Sequence, residues 1–165
     1  MTTTGTYITE SVQYLTFKLG DETFALDVAK VREILEESSI TKVPQTPDFM
    51  RGVINLRGSV VPVIDMRLKF GMSRTERTVN TCIIVVEVQL ENELIVLGAL
   101  ADSVQEVIEM EASQIEAAPH IGTRLNSNFI KGMGKHDHRF IMILDIDKLF
   151  SSEELVPVTG KEPSK

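Results

Sequence analysis

Phe49-Met50-Arg51-Gly52-Val53 returns as Phe129-Ile130-Lys131-Gly132-Met133, and Val60-Val61-Pro62-Val63-Ile64-Asp65-Met66 returns as Phe140-Ile141-Met142-Ile143-Leu144-Asp145-Ile146. The offset is constant at 80, and it carries Phe70 onto Phe150. Upstream, Val31-Arg32-Glu33-Ile34-Leu35 returns as Val104-Gln105-Glu106-Val107-Ile108 at an offset of 73, so the second copy holds about seven extra residues near Ile121–Asn128. A unit this long exceeds a solenoid repeat. It reads as a duplicated small β-structure.

Short apolar runs recur along the chain between turn residues, the pattern of an all-β barrel or sandwich. Tyr14–Leu19 and Thr23–Leu26 flank Gly20-Asp21-Glu22, Met50–Leu56 and Val60–Ile64 flank Arg57-Gly58-Ser59, and Cys82–Leu90 and Leu94–Leu100 flank Glu91-Asn92-Glu93. Phe129–Met133 and Arg139–Leu144 flank Gly134–His138. Pro62 cannot donate to a ladder, which predicts an edge position or a bulge. Asp27, Asp65, Asp102 and Asp145 each precede a stretch that reads as a helical turn, the N-cap position. The expected architecture is all-β: two five-stranded barrels over residues 12–81 and 82–150, with polar tails at 1–11 and 151–165.

The net charge is −7. Nucleic acid requires a basic footprint and an anionic membrane a basic face, so neither is an expected partner. The charge is uneven: residues 12–81 hold ten Lys/Arg against nine Asp/Glu, and residues 82–150 hold five against eleven. The matched halves therefore present different faces. The N-terminus lacks the basic and apolar regions of a secretory signal, no apolar run approaches a bilayer span, and Cys82 has no partner for a disulfide. These features predict a cytoplasmic protein with an inert core thiol.

Catalytic chemistry is thinly supported. His136-Asp137-His138 could set two imidazoles on one face of an extended segment, but it lacks an evident third metal ligand, and a polar hairpin tip explains it as well. Asp145 and Asp147 could act as an acid–base pair, yet Asp65 occupies the repeat position of Asp145, and capping accounts for both. A hydrolase built from these four residues is the enzymatic alternative. A β-barrel nucleic-acid binder is disfavoured by the acidic second copy and the scarcity of aromatic residues. No cofactor is expected.

Asn55-Leu56-Arg57-Gly58 carries more information, because Lys135-His136-Asp137-His138 stands at its place in the second copy. A duplicated fold needs its structural residues twice, whereas a contact with a partner is needed only where it is made. Arg57 is thus a candidate contact, since its guanidinium fork reaches carboxylates and carbonyls. Val28, Val31, Ile34 and Val104 are candidates for an apolar groove where the barrels meet, with core packing as the alternative.

These blocks resemble the CheW family of chemotaxis coupling proteins. The matching stretches are Phe17–Glu22, Asp27–Ile34, Pro47–Gly58 with its continuation Val60–Arg67, Ala101–Val107 and Phe129–Gly134, which together span about residues 14–150. The resemblance implies two SH3-like barrels and a non-enzymatic adaptor. Its implied partners are the cytoplasmic hairpin tips of methyl-accepting chemoreceptors, the regulatory domain of the histidine kinase CheA, and other CheW-like domains in rings, in arrays at the membrane. It implies that Val28, Val31, Glu33, Gly52, Arg57, Gly58 and Val104 contact the receptor or support that contact. A CheW-like module of a CheV-type adaptor is the related alternative.

Overall fold

The computed structural model describes residues 11–36, 39–117 and 129–149. The two expected tails, apart from Ser11, and the loop over Ile121–Asn128 lie outside these residues.

Among the described residues, eleven strands form two sheets. They are β1 (Ser11–Leu19), β2 (Glu22–Asp27), β3 (Val31–Leu35), β4 (Met50–Leu56), β5 (Ser59–Asp65), β6 (Cys82–Leu90), β7 (Glu93–Ala101), β8 (Ser103–Glu111), β9 (Ile115–Glu116), β10 (Ile130–His136) and β11 (Arg139–Leu144). One short helix, α1, covers Met66–Lys69, and 3-10 turns lie at Val28–Lys30, Ala112–Gln114 and Ile146–Lys148. The all-β expectation holds, with a five-stranded and a six-stranded sheet in place of two five-stranded ones. The additional strand is β9, which is two residues long.

The sheets do not divide where the repeat divides. One has the order β8-β1-β2-β11-β10-β9, the other β3-β6-β7-β5-β4. The first copy's hairpin β1–β2 thus sits among strands of the second copy, and the second copy's hairpin β6–β7 sits among strands of the first. The expected boundary between residues 81 and 82 therefore does not separate the sheets. The exchange is joined by matching parallel pairs, Phe24 and Ala25 against Met142 and Ile143, and Val63 to Asp65 against Gly98 to Leu100.

Side-chain alternation explains why the exchanged hairpins stay where they are. In β1, Leu15, Phe17 and Leu19 face a core shared by both sheets, while Tyr14 joins a separate cluster with Ala25, Ile108, Met110, Ile141 and Ile143. In β6, Ile84, Val86, Val88 and Leu90 face the shared core, and Ile83 and Val85 join Ile54, Val61, Val63 and Leu100. Each sheet encloses a small core of its own, and the inner faces of the two hairpins build the third between them. A one-residue slip in β1 or β6 would exchange these faces.

The Pro62 expectation needs amendment. β5 lies inside its sheet, between β7 and β4. Proline is tolerated because the parallel ladder to β7 begins only at Val63. The bulge next to it is on β4, between Met50 and Gly52, and recurs on β10 between Ile130 and Gly132.

Of the four capping aspartates, two behave as expected. Asp27 accepts a hydrogen bond from the Ala29 N–H, and Asp65 accepts from the N–H groups of Arg67 and Leu68. Asp145 makes no side-chain capping bond. Asp102 starts no helical turn, and the chain passes through it from β7 into β8.

Candidate interaction site

The β4–β5 tip is built on backbone geometry that few residue pairs tolerate. Its two loop residues, Arg57 and Gly58, have φ of 51° and 90°. A two-residue hairpin of type I′ requires positive φ at both positions. The Asn55 side chain secures the turn by accepting a hydrogen bond from the Gly58 N–H at 2.8 Å. This geometry presents the Arg57 side chain to β3, where its guanidinium forms a two-pronged ion pair with the Glu33 carboxylate. The bond to Glu33 raises the Arg57 pKa further above its ordinary value, so the guanidinium stays charged. Because β3 and β4 are opposite edges of the five-stranded sheet, the pair also ties that sheet's edges together.

The partners differ in freedom: the Arg57 side chain is 71% exposed, against 28% for Glu33. Glu33 orients the guanidinium, and Arg57 keeps a solvent-exposed face. Beside the pair lies an open groove of about 450 Å³, lined by Arg32, Glu33, Arg57, Val60, Leu94 and Val96 among others. Val60 and Leu94 are exposed apolar residues.

The β10–β11 tip repeats the backbone without the chemistry. Asp137 and His138 have φ of 54° and 64°. Glu106 stands where Glu33 does in the other copy, and beside it lies the His136 imidazole, whose Nε2 is 3.9 Å from a Glu106 oxygen and 3.6 Å from an Asp137 oxygen. Since Asp137 and His138 form the turn itself, the expected shared face of two imidazoles on an extended segment does not exist. Among the described residues there is no group of three or more side chains able to hold a metal ion.

The other expected site residues fall into separate places. Val28, Val31 and Val104 are half-buried and pack against the shared core. Val31 lies opposite Val86 on β6, and Val104 opposite Phe17 on β1, so the two valines hold matching positions on different sheets. Ile34 is exposed and does not join them. Gly52 is buried, with φ of 142°, where the backbone bridge between Thr41 and Val53 crosses β4. A Cβ there would overlap the Thr41 carbonyl oxygen. Gly132 meets the same crossing from β9, where a Cβ would stand 2.8 Å from the Glu116 carbonyl oxygen. Gly52 therefore serves the backbone, as its repetition in the second copy requires.

Of the residues of the acid–base alternative, Asp147 is held in structural bonds. Asp147 accepts from the Lys30 ammonium at 2.7 Å and from the Gln89 N–H at 2.8 Å. Fully buried Asp65 is satisfied by Arg51 and by the Thr75 N–H and hydroxyl. Cys82 is only half-buried, and burial raises its thiol pKa, which keeps it protonated.

One arrangement escaped the sequence reading. At the junction of the sheets, Asp102 accepts hydrogen bonds from the Arg67 guanidinium, at 2.7 Å from NH2 and 3.0 Å from Nε, and from the Gly20 N–H at 2.7 Å. Burial alone would push the Asp102 carboxyl up, but Arg67 and Gly20 together outweigh it and hold it below its ordinary value. This clamp ties the β1–β2 turn of one sheet to α1 and the end of β7 in the other. The Lys30–Asp147 pair is its near counterpart with the charges reversed, because Asp147 stands 80 residues after Arg67. The available signal was a charge inversion at one repeat position.

Comparison with known proteins agrees with this architecture. The model of the CheW-like domain matches residues 13–154. A chemotaxis protein CheW of Klebsiella aerogenes is 38% identical over 146 residues, covering 88% of this chain and 86% of the relative. A probable chemotaxis protein CheW of Rhizobium etli is 34% identical, covering 86% and 89%. The crystal structure of the scaffolding protein TtCheW from Thermoanaerobacter tengcongensis superimposes with a TM-score of 0.76 at 33% identity, covering 88% of this chain and 96% of that one.

Proposed function

The chain belongs to the CheW-like family of chemotaxis scaffold proteins, and from that premise we propose that it couples chemoreceptor hairpin tips to the regulatory domain of the histidine kinase CheA. It is a scaffold and not an enzyme. Among the described residues no helix is long and apolar enough to cross a membrane. The receptors bring the protein to the array.

The observation that carries the reading is the Glu33–Arg57 pair, present at one of two tips whose backbones match. In this reading Arg57 and Gly58 meet the receptor tip, Glu33 sets the guanidinium, and Val28, Val31 and Val104 supply apolar area. Gly52 holds the strand beneath. Such a surface suits an amphipathic helix lying in a groove, with charged residues fixing its register. Signalling requires reversible contacts, so the interfaces are at or below about 1,600 Å². For the kinase and neighbouring CheW-like domains, the two sheets offer matched exposed apolar residues, Val60 on β5 and Phe140 on β11, at the same repeat position. Two related ends on one small body favour ring-like assembly. The Asp102–Arg67 clamp keeps the sheets in register, so a receptor shift reaches the kinase through a stiff body and biases its states.

The test is an NMR titration with a receptor tip fragment and, separately, with the kinase regulatory domain. Arg57→Glu should weaken receptor binding about tenfold or more while leaving the fold and kinase binding intact. Wild-type receptor affinity in that variant would refute the assignment. Val31→Asp should also reduce receptor binding, and a variant that merely unfolds would return Val31 to the core.

A further inference from the structure

A polar pocket of about 480 Å³ opens where the two sheets meet, beside the Asp102–Arg67 clamp. Lys18 and Ser103 line it from the six-stranded sheet, and Ser73 and Arg74 from the segment between α1 and β6. Lys18 on β1 and Ser103 on β8 are direct cross-strand partners, so their side chains share a face. The facing wall is fastened at both ends. Buried Thr75, next to Arg74, donates its N–H and its hydroxyl to buried Asp65. Thr81, also buried, accepts from the Thr78 N–H at 2.8 Å.

The lining is rich in donors and poor in acceptors. The Ser73 hydroxyl oxygen accepts from the Arg67 guanidinium at 3.2 Å, and the Ser103 hydroxyl oxygen accepts from the Gln105 amide at 3.2 Å. Each hydroxyl therefore keeps its own proton to donate. Both oxygens of Asp102 are taken by Arg67, and one of them also by the Gly20 N–H. Among the described residues, the side chains of Lys18 and Arg74 have neither a hydrogen-bond nor an ion-pair partner. Glu76 is the other carboxylate of the lining, and its charge acts on Arg67. Three cations thus converge against two carboxylates, in a chain whose net charge is −7. Positive charge and donatable protons gathered in one recess favour a ligand that only accepts. An oxyanion with several oxygens can meet donors from both walls, whereas a neutral ligand leaves the charge unused.

We propose that this pocket binds a phosphate-class oxyanion, held by Lys18 and Arg74 and by the hydroxyls of Ser73 and Ser103. The ligand spans from one sheet to the segment that leads into the other, so its binding reinforces the junction that the clamp secures. The pocket shares no lining residue with the groove beside Arg57, and the inference does not depend on the receptor reading.

The test is an amide NMR titration of the full chain with inorganic phosphate, set against sodium chloride at matched ionic strength. Phosphate on the order of millimolar should move the Gly20, Arg74 and Ser103 signals saturably, leave Arg57 and Gly58 in place, and raise the thermal unfolding midpoint. Lys18→Gln with Arg74→Gln should weaken binding about tenfold or more. Ser103→Ala, which leaves every charge in place, should weaken it by a smaller factor. Arg74 is exposed, so Arg74→Gln alone gives the reading if the double variant does not fold. A parallel titration with glycerol 3-phosphate identifies the source: tighter binding than phosphate assigns the pocket to a phosphorylated small molecule, and equal or weaker binding assigns it to the free ion. Signals that stay still, that move equally with sodium chloride, or that move equally in the variants would overturn the proposal.

Discussion

The two hairpin tips, Arg57-Gly58 and Asp137-His138, share a turn and differ in almost everything that touches solvent. Both hold two consecutive residues at positive φ, and both follow a strand bulged at a glycine under a crossing segment. One tip carries a guanidinium fixed by Glu33, and the other sets His136 loosely between Glu106 and Asp137. Backbone requirements recur in both copies because each sheet must be built. Of the two tips, one carries a cation fixed by a carboxylate, and in the proposed reading that asymmetry separates recognition from folding.

The largest test of this division concerns the shared part. Gly52→Ala places a Cβ against the Thr41 carbonyl at a strained φ, and should cost about 2–4 kcal/mol of stability in urea unfolding. Gly132→Ala should be destabilising by a smaller amount, because only Gly52 of the two has positive φ. Equal losses would break the distinction drawn between the two crossings.

Next in size is the clamp at the junction. Asp102→Asn should lose about 1–2 kcal/mol at neutral pH, allowing for partial exposure. The carboxyl is held below its ordinary value, so its contribution is fully present above an unfolded value of about 3.9 and disappears as pH falls through the folded one. The variant and parent stabilities should therefore converge in acid. A constant gap across the acid range would remove the ionised carboxylate from the explanation.

A charge swap sharpens the comparison of the tips themselves. Glu33→Arg combined with Arg57→Glu rebuilds the pair with reversed polarity and should leave stability nearly unchanged. If, as proposed, a partner reads the exposed cation and not the pair, receptor affinity should remain about tenfold down. Restored affinity would mean that the pair acts only by holding the sheet edges together. The smallest effect belongs to the other tip: His136→Ala should change stability by less than about 0.5 kcal/mol and leave receptor binding at the parent level.

Strand positions and the site were more legible than the pairing. The turns at Arg57-Gly58 and Glu91-Asn92 could be placed from residue type, and the unmatched Arg57 stood out once the copies were aligned. The pairing of Arg57 with Glu33 was not legible, because nothing in their spacing brings opposite sheet edges together. The hairpin exchange was hidden for a different reason. Repetition identifies which segments are alike, and like segments present like faces: Leu15, Phe17 and Leu19 alternate as Val86, Val88 and Leu90 do. Either hairpin satisfies the burial pattern of either sheet. The choice is made by tertiary contacts such as Gly20 N–H to Asp102, between residues 82 apart. Asp145 shows the limit of the repeat itself, since the residue recurs while its capping bond does not.

The exchange of hairpins also governs how the molecule is made. β2 must wait for β11, more than a hundred residues later, before its parallel neighbour exists. A chain leaving the ribosome therefore cannot complete its first sheet with its first half. Such distant pairing slows folding. Two polypeptides cut between residues 81 and 82 should gain native structure only when mixed, each supplying the strand pair that the other lacks.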